Sequence, residues 1–161
     1  MRHWFGLLRE FGEAKYPEQI ALLREGHGFS QAHANAVVMH HRGSTSSKRH
    51  DSVDDYFASI PPAHAQLSRE IFAAITKRHK KLHLVIAWNQ PMLKSDDAYV
   101  IGVSASKNHL TIGPWGDGVI AAFADDLNGY TTNKKTFTVP LDWKVDSRLL
   151  NRIVDYRLAE L

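Results

Sequence analysis

The sequence predicts an α+β fold: a two-layer sandwich of a mostly antiparallel sheet with flanking N- and C-terminal helices, plus an all-helical N-terminal extension. Three observations carry that expectation. Between Leu82 and Tyr130, short apolar runs rich in β-branched and aromatic residues are bounded by Pro, Asn, Asp and Gly, the composition of half-buried strands. Leu67, Ile71, Ala74 and Ile75 before that stretch, and Leu149, Leu150, Ile153 and Val154 after it, repeat at helical spacing. Residues 1–42 show only helical patterning.

In the extension, Trp4, Leu7, Leu8 and Phe11 share a helix face and Gly12 stops it. Pro17 suits the first turn of a second helix containing Ile20, Leu22 and Leu23, which ends at Gly26-His27-Gly28. Ser30 reads as the N-cap of a third helix, Gln31 to Arg42. Residues 43–50 are small, polar and aperiodic, a linker between this extension (1–42) and a second domain (51–161).

Ser52 then caps a short helix from Val53 to Ser59, with Asp54 and Asp55 in the first turn, where the helix dipole favours acids. Pro61-Pro62 opens a longer helix with a basic end, Lys77 to Lys81. The runs Leu82–Trp88, Tyr99–Ala105 and His109–Trp115 are strands, with Asn89-Gln90-Pro91 and Ser106-Lys107-Asn108 as turns. A helix from Gly118 to Leu127, a strand from Lys135 to Pro140 and a last helix from about Ser147 to Leu158 complete the order.

At 161 residues and 43% hydrophobic, the chain is long enough for one compact core and a small appendage. Without cysteine, thiolate metal sites, disulfides and cysteine nucleophiles are excluded. No run approaches the roughly 20 apolar residues of a membrane span, so a cytoplasmic protein without membrane partners is expected. The net charge of +3 sits in the first 50 residues, which carry seven Lys or Arg against four Glu and six of the ten histidines. Those basic helices either form a solvated surface or dock a protein or nucleic acid.

Four successive blocks point further: Ser52 to Pro62, Ala87-Trp88-Asn89-Gln90-Pro91-Met92, Lys107-Asn108-His109-Leu110, and Thr136 to Leu141. Together they resemble the YdhG-like family over about residues 51–160. The segment from His27 to Ala36 is similar to a short helical module that often accompanies such domains. The resemblance implies a frataxin-like and YjbR-like α–β–α sandwich. One branch of the family is described as an iron chaperone, which implies iron as cargo and iron–sulfur assembly proteins as partners.

Iron held for delivery wants exposed carboxylates when thiols are absent. Asp51, Asp54 and Asp55 are the candidates, although neighbouring helical residues diverge by about 100° and capping explains Asp54 and Asp55 as well. The remaining candidate is a ligand groove at the rim of the sheet, of a small-ligand binder or an enzyme, suggested by Trp88, Trp115, Tyr99 and Tyr130, with Trp88 and Trp115 at the rim and Asn89, Gln90, Lys107 and His109 as polar lining. No phosphate loop or nucleophile elbow is present, and a non-enzymatic binding or carrier protein is the resulting expectation.

Overall fold

The computed structural model describes residues 2–12, 14–43 and 49–161. It divides into two compact units, residues 1–49 and 50–161. Most of the expected linker, residues 44–48, lies outside the described residues.

The first unit holds three helices, α1 (Arg2–Glu10), α2 (Tyr16–His27) and α3 (Gln31–His41). Each is too short to persist alone. Leu8, Ile20, Leu23, Ala34, Val37 and Val38 close a common core between them. Gly28, at φ 69°, ends α2 and returns its N–H to the carbonyls of Leu23 and Arg24, a conformation favoured by the absence of a Cβ. Ser30 Oγ accepts the His33 amide at 3.3 Å, so the expected cap of α3 forms.

The second unit runs α4 (Val53–Ser59), α5 (Pro62–Thr76), β1 (His83–Ala87), β2 (Gln90–Lys94), β3 (Tyr99–Ala105), β4 (His109–Pro114), α6 (Val119–Ala122), β5 (Thr131–Thr132), β6 (Phe137–Pro140) and α7 (Ser147–Ala159). The six strands form one sheet in the order β1-β2-β3-β4-β6-β5, every pair antiparallel. The fold is thus α+β, with helices at both ends of the strand series.

Strand alternation divides the sheet into two faces. Leu93, Ile101, Val103, Leu110, Ile112, Phe137 and Val139 point into the core, where they meet Tyr56 and Phe57 of α4, Ile71 and Ile75 of α5, and Leu150, Ile153 and Val154 of α7. Asn151 Nδ2 donates to the Ala74 carbonyl at 3.4 Å, and Arg78 meets Asp155 at 2.8 Å, which ties α7 alongside α5. Ser52 Oγ caps α4 through the Asp55 amide at 3.0 Å. Tyr56 reaches from α4 to the sheet, its hydroxyl accepting the Ala105 amide at 2.9 Å; burial raises its ionisation midpoint, against the lowering effect of that hydrogen bond.

Two sequence expectations need correction. The segment containing Gln90 and Pro91 is a strand, not only a turn: Trp88 and Asn89 alone reverse the chain, and Ala87 pairs with Gln90. Proline fits because the β2–β3 register begins at Met92, one residue beyond Pro91, which has no amide hydrogen to give. The helix expected from Gly118 to Leu127 stops at Ala122, after which Ala124 bonds the Ala121 carbonyl and the chain continues as turns toward Asn128-Gly129.

Candidate functional site

The face of the sheet opposite the core is made of small and polar residues with an aromatic patch. Register places Val85 beside Met92, Met92 beside Gly102, and Gly102 beside Gly113, a row crossing four strands. Two adjacent glycines remove the side chains that would otherwise cover the middle of this face. Met92 lies across the first of them: a Cβ at Gly102 would collide with Met92 Sδ. Over Gly113 the space stays open, a Cβ there meeting Thr136 Cγ2 only at an ordinary 3.5 Å.

Two tryptophans stand beside this gap. Trp88 and Asn89 have φ of 49° and 62°, the positive values that a type I′ hairpin turn requires at both central positions. Asparagine tolerates that region, whereas for tryptophan it costs about 1–2 kcal/mol. Compensation comes from the ring, which stacks on Trp115 at 4.7 Å and 16° and meets Tyr99 edge-on at 4.8 Å. Such pairs contribute about 0.5–1.5 kcal/mol each, enough to offset the strained backbone. Both indoles remain open to solvent, Trp88 at 62% and Trp115 at 40% exposure. Lys94 Nζ lies 5.9 Å from the centre of the Tyr99 ring.

Beside Trp115 is a hollow of about 320 Å3. Met92, Gly113, Pro114 and Trp115 provide its apolar surface, and Gln90, Thr136, Lys135, Asp117 and Arg157 its polar groups. Lys135 Nζ is 2.8 Å from Asp117 Oδ1. That hydrogen bond, then the charges of Lys135 and Lys134, hold the Asp117 carboxyl below the usual carboxylate range. Arg157 is more enclosed, donating from Nε to the Tyr99 carbonyl and from Nη1 to Glu160, both at 3.4 Å. Apolar floor, aromatic wall and a few oriented polar groups are the ingredients of small-ligand recognition.

The residues singled out from sequence fall into three groups. Trp88, Gln90 and Trp115 belong to the patch or the hollow. Asn89 is engaged within the protein, its Oδ1 accepting the His50 amide at 2.7 Å. Lys107 and His109 sit at the β3–β4 turn, outside the residues that line the hollow; His64 Nε2 holds this turn by donating to the Ser106 carbonyl at 2.8 Å. Tyr99 also joins the patch, whereas Tyr130 lies elsewhere, its hydroxyl accepting from Trp143 Nε1 at 3.1 Å. Met92, Lys135, Thr136 and Arg157 were not singled out, because what joins them is strand register and the approach of α7.

The acidic candidates are dispersed. Asp51, Asp54 and Asp55 are exposed, and Asp54, with 88% of its side chain in solvent, faces Arg69 at 3.5 Å. Among the described residues, no three His, Asp or Glu side chains converge to hold a metal ion. In the first unit, His40 stacks on Phe5, His27 meets Trp4 edge-on, and Arg42 bonds Gln19 Oε1 at 2.6 Å and the Ala14 carbonyl at 2.7 Å. No described helix is long and apolar enough to cross a membrane.

Comparison with known proteins connects these features to relatives. Residues 1–43 match the family described as "Domain of unknown function (DUF4287)". Over 113 residues the chain is 31% identical to a Bacillus subtilis protein named "Intracellular iron chaperone frataxin", covering 68% of this chain and 91% of that one. A crystal structure of the YdhG protein of the DUF1801 family, from Bacillus subtilis, superposes with a TM-score of 0.62 at 31% identity, over 66% of this chain and 88% of that chain. An uncharacterised conserved protein from Lactobacillus casei matches at 22% identity and a TM-score of 0.47, over 68% and 91% of the two chains. With the antiparallel sheet, its flanking helices and a 31% identical relative matched over nearly its full length, the chain belongs to the YdhG-like, DUF1801 family.

Proposed function

We propose that this chain is a non-enzymatic, cytoplasmic binding protein whose recognition surface is the outer face of the sheet around Trp88, Tyr99 and Trp115. The observation that carries this reading is the stacked pair of exposed indoles beside a hollow floored by Met92. Aromatic side chains in such settings supply large contact area at small entropic cost. The test is titration with prodan, a neutral naphthalene fluorophore, with far-UV circular dichroism as the check on folding. Saturable binding lost in Trp115→Ala supports the reading; absence of binding, or binding unchanged in a folded Trp115→Ala protein, rejects it.

A second reading is favoured by the likeness to a protein named an iron chaperone. Here the cargo is iron, held transiently by the exposed carboxylates of Asp51, Asp54 and Asp55, and the partners are iron–sulfur assembly proteins. Dispersed acids suit weak, exchangeable binding, not a fixed site. Anaerobic ferrous titration of the parent and of Asp54→Asn/Asp55→Asn decides it: equal binding by the two proteins rejects this reading.

A further inference from the structure

We infer that the hollow takes a compact planar anion, an aromatic or heteroaromatic carboxylate, laid against Trp115 and Met92 with its acid group on Lys135. The inference rests on the outer face being the binding surface and names the chemistry of its ligand. Size sets the first limit. At about 320 Å3 the hollow is at the small end of ligand sites, suited to one or two fused rings. Shape sets the second: Trp115 supplies an aromatic wall beside the Gly113 backbone and the Met92 side chain, with no Cβ at Gly113 to interrupt the surface, so a flat ligand makes more contact than a branched one.

Charge sets the third limit. The lining carries two cations, Lys135 and Arg157, against one carboxylate, Asp117. Arg157 is committed to the Tyr99 carbonyl and Glu160. Lys135 pairs with Asp117, whose side chain is 88% exposed, and ion pairs in that setting are weak and easily exchanged. A ligand carboxylate entering beside Thr136 would therefore take the Lys135 ammonium from a carboxylate that water readily re-solvates. Gln90 and Thr136 add polar groups to the lining.

The test compares 2-naphthoate, 2-naphthalenemethanol and 2-naphthylmethylamine, three ligands of one shape and three charges, by calorimetry on the full chain in low salt. We expect naphthoate to bind roughly fivefold to tenfold more tightly than the alcohol, and the amine most weakly. Lys135→Ala should erase the margin between acid and alcohol, and Asp117→Asn should tighten naphthoate about threefold by freeing the ammonium. If alcohol or amine binds as tightly as the acid, and Trp115→Ala abolishes all three, the surface stands and the ligand class is overturned. If the acid's margin survives Lys135→Ala, the assignment to Lys135 is overturned. If none of the three binds, the reading of the face falls and this inference with it.

Discussion

Replacing Gly102 by alanine should destabilise the second unit, while the same change at its cross-strand partner Gly113 should not. The two positions face each other on adjacent strands, so strand propensity treats them alike and packing must separate them. In a strand interior, alanine gains about 0.5–1 kcal/mol over glycine by restricting the unfolded chain. At Gly102 that gain meets a collision with Met92 Sδ, with Met92 Cε at 3.3 Å and the Pro91 carbonyl oxygen at 3.4 Å behind it. Met92 is 1% exposed and must turn out of its place, an overpacking cost of about 1–3 kcal/mol. The net expectation is a loss of up to about 2.5 kcal/mol, centred on about 1 kcal/mol, equivalent to a fall of about 4 °C in Tm per kcal/mol for a unit of this size. At Gly113 the nearest atom to the new methyl is Thr136 Cγ2 at 3.5 Å, so the change should be neutral or slightly stabilising and should shrink the hollow. Urea and thermal denaturation followed by circular dichroism measure both variants. A Gly102→Ala protein as stable as the parent, or a Gly113→Ala protein that loses more than Gly102→Ala, would refute the account of this face.

Three further outcomes follow from local geometry. Asn89→Ala removes the polar side chain that makes φ 62° tolerable and the acceptor for the His50 amide, so it should cost about 1–3 kcal/mol and weaken the near-UV circular dichroism of the indole pair; Asn89→Asp should retain most of both, and equal signals from the two variants would contradict it. Ser52→Ala should lose about 1 kcal/mol by leaving the Asp55 amide uncapped, read from the urea midpoint at unchanged slope. The Asp117 carboxyl should titrate below ordinary aspartates by NMR and return toward them in Lys135→Ala. Because its midpoint is depressed on folding, the pair's contribution is present above the normal carboxylate range and lost as pH falls through the depressed midpoint; a midpoint unmoved by Lys135→Ala would contradict the assigned cause.

What could be read from the chain followed the range over which each signal acts. Caps and helical stripes are local, and Ser30, Ser52 and the Leu149–Val154 pattern appear where their spacing puts them. Strand β2 was harder because Pro91 interrupts the run, and its tolerance depends on where the neighbouring register begins. The α6 segment ended early where Asp125, Asp126 and Asn128-Gly129 favour turns over helix. Residue order pointed to Gln90 and Trp115 but not to the rest of the hollow. It depends on Gly102 falling opposite Gly113, on Met92 lying over one and not the other, and on Arg157 arriving from the final helix. The pairing of Trp88 with Trp115 likewise depends on a turn conformation that tryptophan rarely adopts.

That turn has one more property. The carboxamide of Asn89 grips the backbone at His50, the first residue of the second unit, and its neighbour in sequence is the indole lodged on Trp115. One turn residue thus anchors the chain leading into α4 while the residue before it carries the exposed ring, so a substitution at Asn89 acts on both at once.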